Sequence, residues 1–213
     1  MPSAPRSQRP SSERKRRQIM EVAIAMFLTQ GYRDTSVEQI AAAASVSKTT
    51  VYKNFAGKES LLREAMLGTL EEFGAEMNTR AASLAEAIDL AGELRVFARA
   101  ELSTLMLPEI LQRRRIVVAE ANRLPDFALE YYERTYGLAL DVLAASFRAL
   151  VRRGLLRDCD GAIAAEQFLW LLIGAPRNRV MLCGDSVTFS QDELSRHADI
   201  AVTTFLTAYG TAP

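Results

Sequence analysis

Residues 31–61 read GYRDTSVEQIAAAASVSKTTVYKNFAGKESL, and the spacing of small, apolar and polar residues in this stretch decides the fold. Thr35-Ser36-Val37-Glu38 reads as a capping box opening a short helix with Val37, Ile40 and Ala41 facing inward. Ala44-Ser45-Val46 forms a turn, and Ser47 caps the next short helix, in which Val51 and Phe55 share one face. At about 100° per residue, Thr49, Thr50, Tyr52 and Lys53 point away from that apolar face. Upstream, Ile19, Val22, Ala23, Met26 and Phe27 recur at helical spacing from Ser12 until Gly31 ends the run. Ile40, Val46, Val51 and Phe55 can close with Val22, Met26 and Phe27 into a small core. Three helices, the last two joined by a tight turn, have the geometry of a helix-turn-helix.

The charge distribution points the same way. The 213-residue chain has 26 basic and 26 acidic residues, so its formal charge is zero. Residues 1–58 nevertheless hold ten Lys and Arg against four acids, a net of +6, which leaves −6 on the remainder. A basic portion on an acidic body suits a polyanion, because each phosphate contact releases counterions. Arg14, Lys15, Arg16 and Arg17 are expected either to enter an adjacent minor groove as an arm or to stay in a solvated segment. Residues 1–11, rich in Pro, Ser and Arg, are expected to be a disordered basic tail.

Downstream the pattern is helical throughout, with one long helix expected from Gly57 to about Asn78. Further helices are expected over 82–106, 108–122, 125–154, 160–182 and 190–209, the fourth of these bent near Pro176. No alternating strand pattern persists, so the fold class is all-α. The expected division is a helix-turn-helix domain over 12–60 joined by the long helix to a larger helical domain over 61–213. No apolar run is long enough to span a membrane, and the basic N-terminus has no apolar core after it, so it is not expected to be a secretory signal. With two cysteines that make no framework, a cytoplasmic location is expected. Cys159 and Cys183 form neither a disulfide framework nor a metal spacing. His197 is the sole histidine, expected on a solvent-facing helix, and there is no Gly-rich phosphate loop. No enzyme, metal or cofactor is expected.

Gly31-Tyr32, Thr35-Ser36-Val37, Ile40-Ala41, Val46-Ser47, Val51-Tyr52, Phe55 and Lys58-Glu59-Ser60-Leu61 resemble the N-terminal signature of the TetR family. The resemblance covers residues 15–62 without a gap. It implies phosphate contacts from Thr35, Ser36, Tyr52, Asn54 and Lys58, and places Lys48, Thr49, Thr50 and Lys53 at or near base edges in the major groove. From the residues alone, Tyr52 can instead pack on the first helix and Lys53 can be a solvated charge. The chain departs from the family pattern at Ser45 and Thr49, where glycine is usual. If φ is positive at Ser45, the strain is about 1 kcal/mol.

One recognition helix spans too few base pairs for useful specificity, so a homodimer on a palindromic operator is expected. The last two helices are the natural interface, through Leu169, Leu172, Ile173, Ile200, Thr204, Phe205 and Ala208. Arg114-Arg115-Ile116-Val117-Val118-Ala119-Glu120 through Leu124-Pro125, with Gly154 and Ala164-Ala165, also resembles the C-terminal domain of AefR-like TetR regulators. That resemblance implies an internal cavity for a small-molecule effector. Phe97, Met106, Phe127, Tyr131, Tyr132, Tyr136, Phe168 and Trp170 either line such a cavity or form ordinary core. Asn122 (with Arg123) either orients a ligand or caps the helix before Pro125. The expected role is a repressor of transcription released by its effector. A protein-interaction adaptor and a redox-responsive regulator are the alternatives.

Overall fold

The computed structural model describes residues 9–68 and 70–211. Two compact units emerge. The first comprises the chain to Leu70 together with Ile116–Ala128, and the second comprises Glu71–Arg115 and Leu129–Pro213. This differs from the contiguous division expected at residue 60, because a distant segment has joined the first unit.

In the first unit, α1 spans Arg9–Gln30, α2 Val37–Ala43, α3 Lys48–Asn54 and α4 Lys58–Leu67. Helix α1 begins inside the segment expected to be a disordered tail, and residues 1–8 of that tail lie outside the described residues. Gly31 ends α1 at φ 82°, a left-handed conformation that costs glycine nothing. The capping box of α2 is Ser36 with Gln39, one residue later than the pair suggested by Thr35 and Glu38. Ile19, Ala23, Phe27, Ile40, Val51, Phe55 and Leu61 form a core almost free of solvent, whereas Val22, Met26 and Val46 are only half-buried. Ile116 and Val117 are buried too, and Phe127 is fully buried beneath the Arg63 guanidinium at 5.7 Å.

The long helix expected from residue 57 is two helices. Helix α4 ends at Leu67 and α5 runs Leu70–Ala85. The second unit continues with α6 Leu90–Leu105, α7 Pro108–Glu120, α8 Pro125–Tyr132, a five-residue π-helical segment Glu133–Gly137, α9 Leu138–Arg152, α10 Gly161–Cys183 and α11 Gln191–Tyr209. Helices α7 and α8 are divided between the two units. Between α5 and α6, residues 86–89 break the run expected to be one helix. Arg153, the C-cap of α9, donates to the carbonyls of Ala85 (2.5 Å) and Ala87 (2.7 Å), and Asp89 caps α6 by accepting from the Gly92 amide (3.0 Å). Pro176 lies within α10. The core of this unit is an aromatic stack: Phe147, Phe168 and Phe205 meet with centroids 5.1–5.8 Å apart, and Phe97 and Tyr209 extend it. No helix among the described residues is long and apolar enough to cross a membrane.

Candidate nucleic-acid interface

Helix α3 is held at both ends. The Ser47 hydroxyl accepts from the Thr50 amide (3.1 Å) and lies 2.8 Å from the Thr50 hydroxyl. At the other end, the Asn54 amide group donates to the Thr50 carbonyl (2.8 Å), while the Asn54 carbonyl accepts from Arg16 (2.5 Å). Val51 and Phe55 lock the inner face into the core. The outer face presents Lys48, Thr49, Tyr52 and Lys53 to solvent, with Thr50 and Asn54 half-buried. Tyr52 is 49% exposed, so half of its surface remains open to solvent. Lys48 pairs with Glu38 of α2 and lies 5.8 Å from the Tyr52 ring. The Lys48 ammonium holds the Glu38 carboxyl below its usual range, and Glu38 in turn raises Lys48. Among the described residues, Thr49 and Lys53 have no side-chain partner within the chain.

Three expected contacts are placed differently. Thr35 is only 1% exposed, and its hydroxyl donates to the Gly31 carbonyl (2.8 Å), so it seals the α1–α2 turn and does not face a phosphate. Ser36 is half-buried, with its hydroxyl accepting from the Gln39 amide (3.1 Å). The Lys58 ammonium donates to the Arg33 carbonyl (3.2 Å) and sits 4.3 Å from the Tyr32 ring centre. Burial, then repulsion from Arg123, pushes its pKa down. Lys58 is thus engaged with the 31–34 turn.

The basic run on α1 is also not a loose arm. Arg14, Lys15 and Arg17 are exposed on a helix, and Arg16 turns inward. Its guanidinium stacks on Phe55 (4.3 Å) and pairs with Glu64 of α4 (2.5 Å), tying α1, α3 and α4 together. Sequence reasoning also missed the cluster around Glu120. That carboxylate is 2% exposed, accepts from Arg33 (3.0 Å) and has Arg123 at 3.8 Å, while Arg123 reaches over Tyr32 at 5.6 Å. Here Arg123 serves the first unit, and Asn122 beside it is exposed.

The residues expected to line one cavity are not all together. Phe127 belongs to the first unit's core, and Asn122 to its surface. Phe97 and Phe168 are in the aromatic stack of the second unit, with Met106 packed against that core. Tyr131 is buried, Tyr136 half-buried, and Tyr132 (49%) and Trp170 (55%) are exposed. A separate open groove of about 560 Å³ lies between α5 and α9, lined by Asn78, Ala82, Ala85, Asp141, Val142, Ala145 and Ser146. The interface expectation divides similarly. Leu169, Leu172, Ile173 and Phe205 are within the unit's own core, whereas Ile200, Thr204 and Ala208 are exposed. The exposed apolar face of α10 carries instead Ile163, Trp170 and Leu171.

Cys159 is half-buried and burial pushes its thiol up, away from the thiolate a redox sensor needs. His197 is half-buried, with its Nε2 3.1 Å from the Leu171 carbonyl of α10.

A capped short helix, anchored on its apolar side and offering lysines, threonine and tyrosine outward, defines a helix-turn-helix DNA-binding protein. Residues 19–65 match the model for bacterial regulatory proteins of the tetR family, and residues 92–211 match that for the C-terminal domain of AefR-like transcriptional repressors. A Mesorhizobium loti protein assigned to the TetR-family regulators is 38% identical, covering 94% of this chain and 98% of its own with a TM-score of 0.85. The flavonoid-responsive regulator FrrA is 27% identical over 94% of this chain and all of its own (100%), with a TM-score of 0.68. The transcriptional regulator TcmR of Streptomyces glaucescens is 39% identical over 77 residues, a match spanning 33% of this chain and about a third (34%) of TcmR. The chain belongs to the TetR family of transcriptional regulators, a family of DNA-binding proteins and not of enzymes.

Proposed function

We propose that this protein is a cytoplasmic homodimeric repressor that binds a palindromic operator through α3 and leaves it when a small-molecule effector binds the second unit. The observation that carries the DNA-reading part is the outer face of α3, where Thr49, Tyr52 and Lys53 are solvent-exposed on a helix fixed by Val51 and Phe55. Lys48 joins them by exchanging Glu38 for a phosphate or a base edge. Ser36, Thr50 and Asn54 support the backbone that presents this face. Effector control is supported by the likeness to FrrA, whose name records a response to flavonoids. The released state is reached through α7, a single helix with its residues to Arg115 in the second unit and Ile116–Glu120 in the first. The effector shifts the equilibrium only by its preference for one state over the other.

Dimerisation is assigned to the apolar residues that α10 and α11 leave uncovered, chiefly Ile163, Leu171 and Ile200, with Thr204 and Ala208 permitting close approach. Sedimentation and band-shift experiments on the wild type and Ile200→Glu test this. The variant is expected to sediment as a monomer and to lose operator affinity because the second half-site is no longer held. A dimeric Ile200→Glu with wild-type affinity removes this face from the interface.

A further inference from the structure

Within the second unit, Arg114 of α7, Tyr131 of α8, Tyr136 of the π-helical segment and Arg177 of α10 form a cluster with an unbalanced charge. The Arg177 guanidinium lies 5.9 Å from the centre of the Tyr136 ring, and the charge that acts on it most strongly is the like charge of Arg114. Burial, reinforced by that repulsion, lowers its pKa to about 10, which leaves it positive at neutral pH. Among the described residues, neither Arg114 nor Arg177 has a carboxylate in ion-pair contact. Arg113 also acts electrostatically on Tyr131. The acid that faces Tyr136 is Glu166, exposed on α10.

The polar inventory is incomplete on the donor side as well. The Tyr136 hydroxyl is buried with no hydrogen-bond partner. Its ring is flanked by Tyr132 at 5.8 Å and Trp170 at 6.4 Å, and both of those rings are half exposed. A sequestered guanidinium facing a like charge, and an orphan hydroxyl, are unfavourable unless something supplies acceptors and negative charge. A carboxylate does both, since its two oxygens accept from guanidinium forks and from a phenol.

We infer that the Arg114–Arg177 pair and the Tyr136 hydroxyl hold the carboxylate of a small aromatic acid, with Tyr132 and Trp170 beside its ring. This deepens the effector proposal and rests on it for the ligand's role, though not for its binding.

Calorimetric titration of the full-length protein without DNA tests the site. Benzoate, salicylate, phenylacetate and indole-3-acetate are the probes, each paired with its neutral carboxamide. At least one acid is expected to bind while its carboxamide does not. Arg177→Gln and Arg114→Gln are each expected to weaken that acid about tenfold or more, as for a lost charge-assisted hydrogen bond. Tyr136→Phe is expected to weaken it less. Both Gln variants are also expected to raise the melting temperature of the unliganded protein, because each removes a like charge that has no counter-ion. The site is overturned if none of the acids binds, if acid and carboxamide bind equally, if the Gln variants bind as wild type, or if they melt lower. Band shifts keep the two readings apart. Binding without release of DNA leaves the site and removes effector control, whereas release that persists in Arg177→Gln removes the site and leaves effector control.

Discussion

Ser45 holds φ at 52° in the turn between α2 and α3, the single non-glycine residue with positive φ among those described. Its amide donates to the Ala42 carbonyl (3.0 Å), so the turn is closed although the residue is strained. Ser45→Gly is therefore expected to stabilise the first unit by about 0.5–1 kcal/mol in chemical denaturation, and a destabilised variant would contradict the strain. The ion pair at Glu120 carries an asymmetric prediction. Glu120 is buried, while Arg33 is largely in water. Arg33→Ala leaves a buried carboxylate with only the more distant Arg123 at 3.8 Å and is expected to cost about 1–3 kcal/mol, whereas Glu120→Gln removes the buried charge and costs less. Equal losses in thermal denaturation would show that the carboxylate is not desolvated. Side-chain roles at this scale were the least legible in the sequence. Thr35, Lys58 and Arg16 each have the right type for a phosphate contact, and each is turned inward by a partner brought near only by folding.

Helix N-termini were the most legible features because they are written locally. Ser36, Ser47, Asp160 and Ser190 all cap as their residue types suggest. The break at residues 86–89 was not legible, since the group that terminates α5 is Arg153, 66 to 68 positions away in the chain. The Arg99–Asp199 pair between α6 and α11 is another long-range tie, with two charge-assisted bonds of 2.8 and 2.6 Å. Those bonds hold the Asp199 carboxyl below its usual range. A depressed carboxylate contributes stability that is present above its unfolded pKa, about 4, and is lost as the pH falls through the lower folded value. The melting temperature of wild type is expected to exceed that of Asp199→Asn at pH 7, with the gap closing on acidification below pH ~4. A gap that persists undiminished into acid would assign the difference to packing instead.

For the whole molecule, the all-α fold and the helix-turn-helix could be read from periodicity, caps and charge asymmetry. The division into units could not, because Ile116–Ala128 joins the first unit through Phe127, Glu120 and Arg123, and apolar periodicity does not reveal which core a helix enters. The same blindness placed Leu169, Leu172, Ile173 and Phe205 on an outer face and grouped aromatics that belong to separate cores. Helical spacing shows that a face is apolar, but the fold decides whether another helix or a second chain covers it. Residues that remain outside, above all those on α3, carry the functional claim. Tyr52 and Lys53 are exposed there without supporting the core, so their removal separates DNA reading from folding. Fluorescence anisotropy on DNA from upstream of the chain's own coding sequence, across a salt series, measures this directly. Wild type is expected to bind with an affinity that falls steeply with salt, and Tyr52→Ala with Lys53→Ala to lose about 10-fold or more at unchanged melting temperature and oligomeric state. Binding by that double variant at the wild-type level, or wild-type binding indifferent to salt, would contradict the assignment of α3 as the DNA-reading helix.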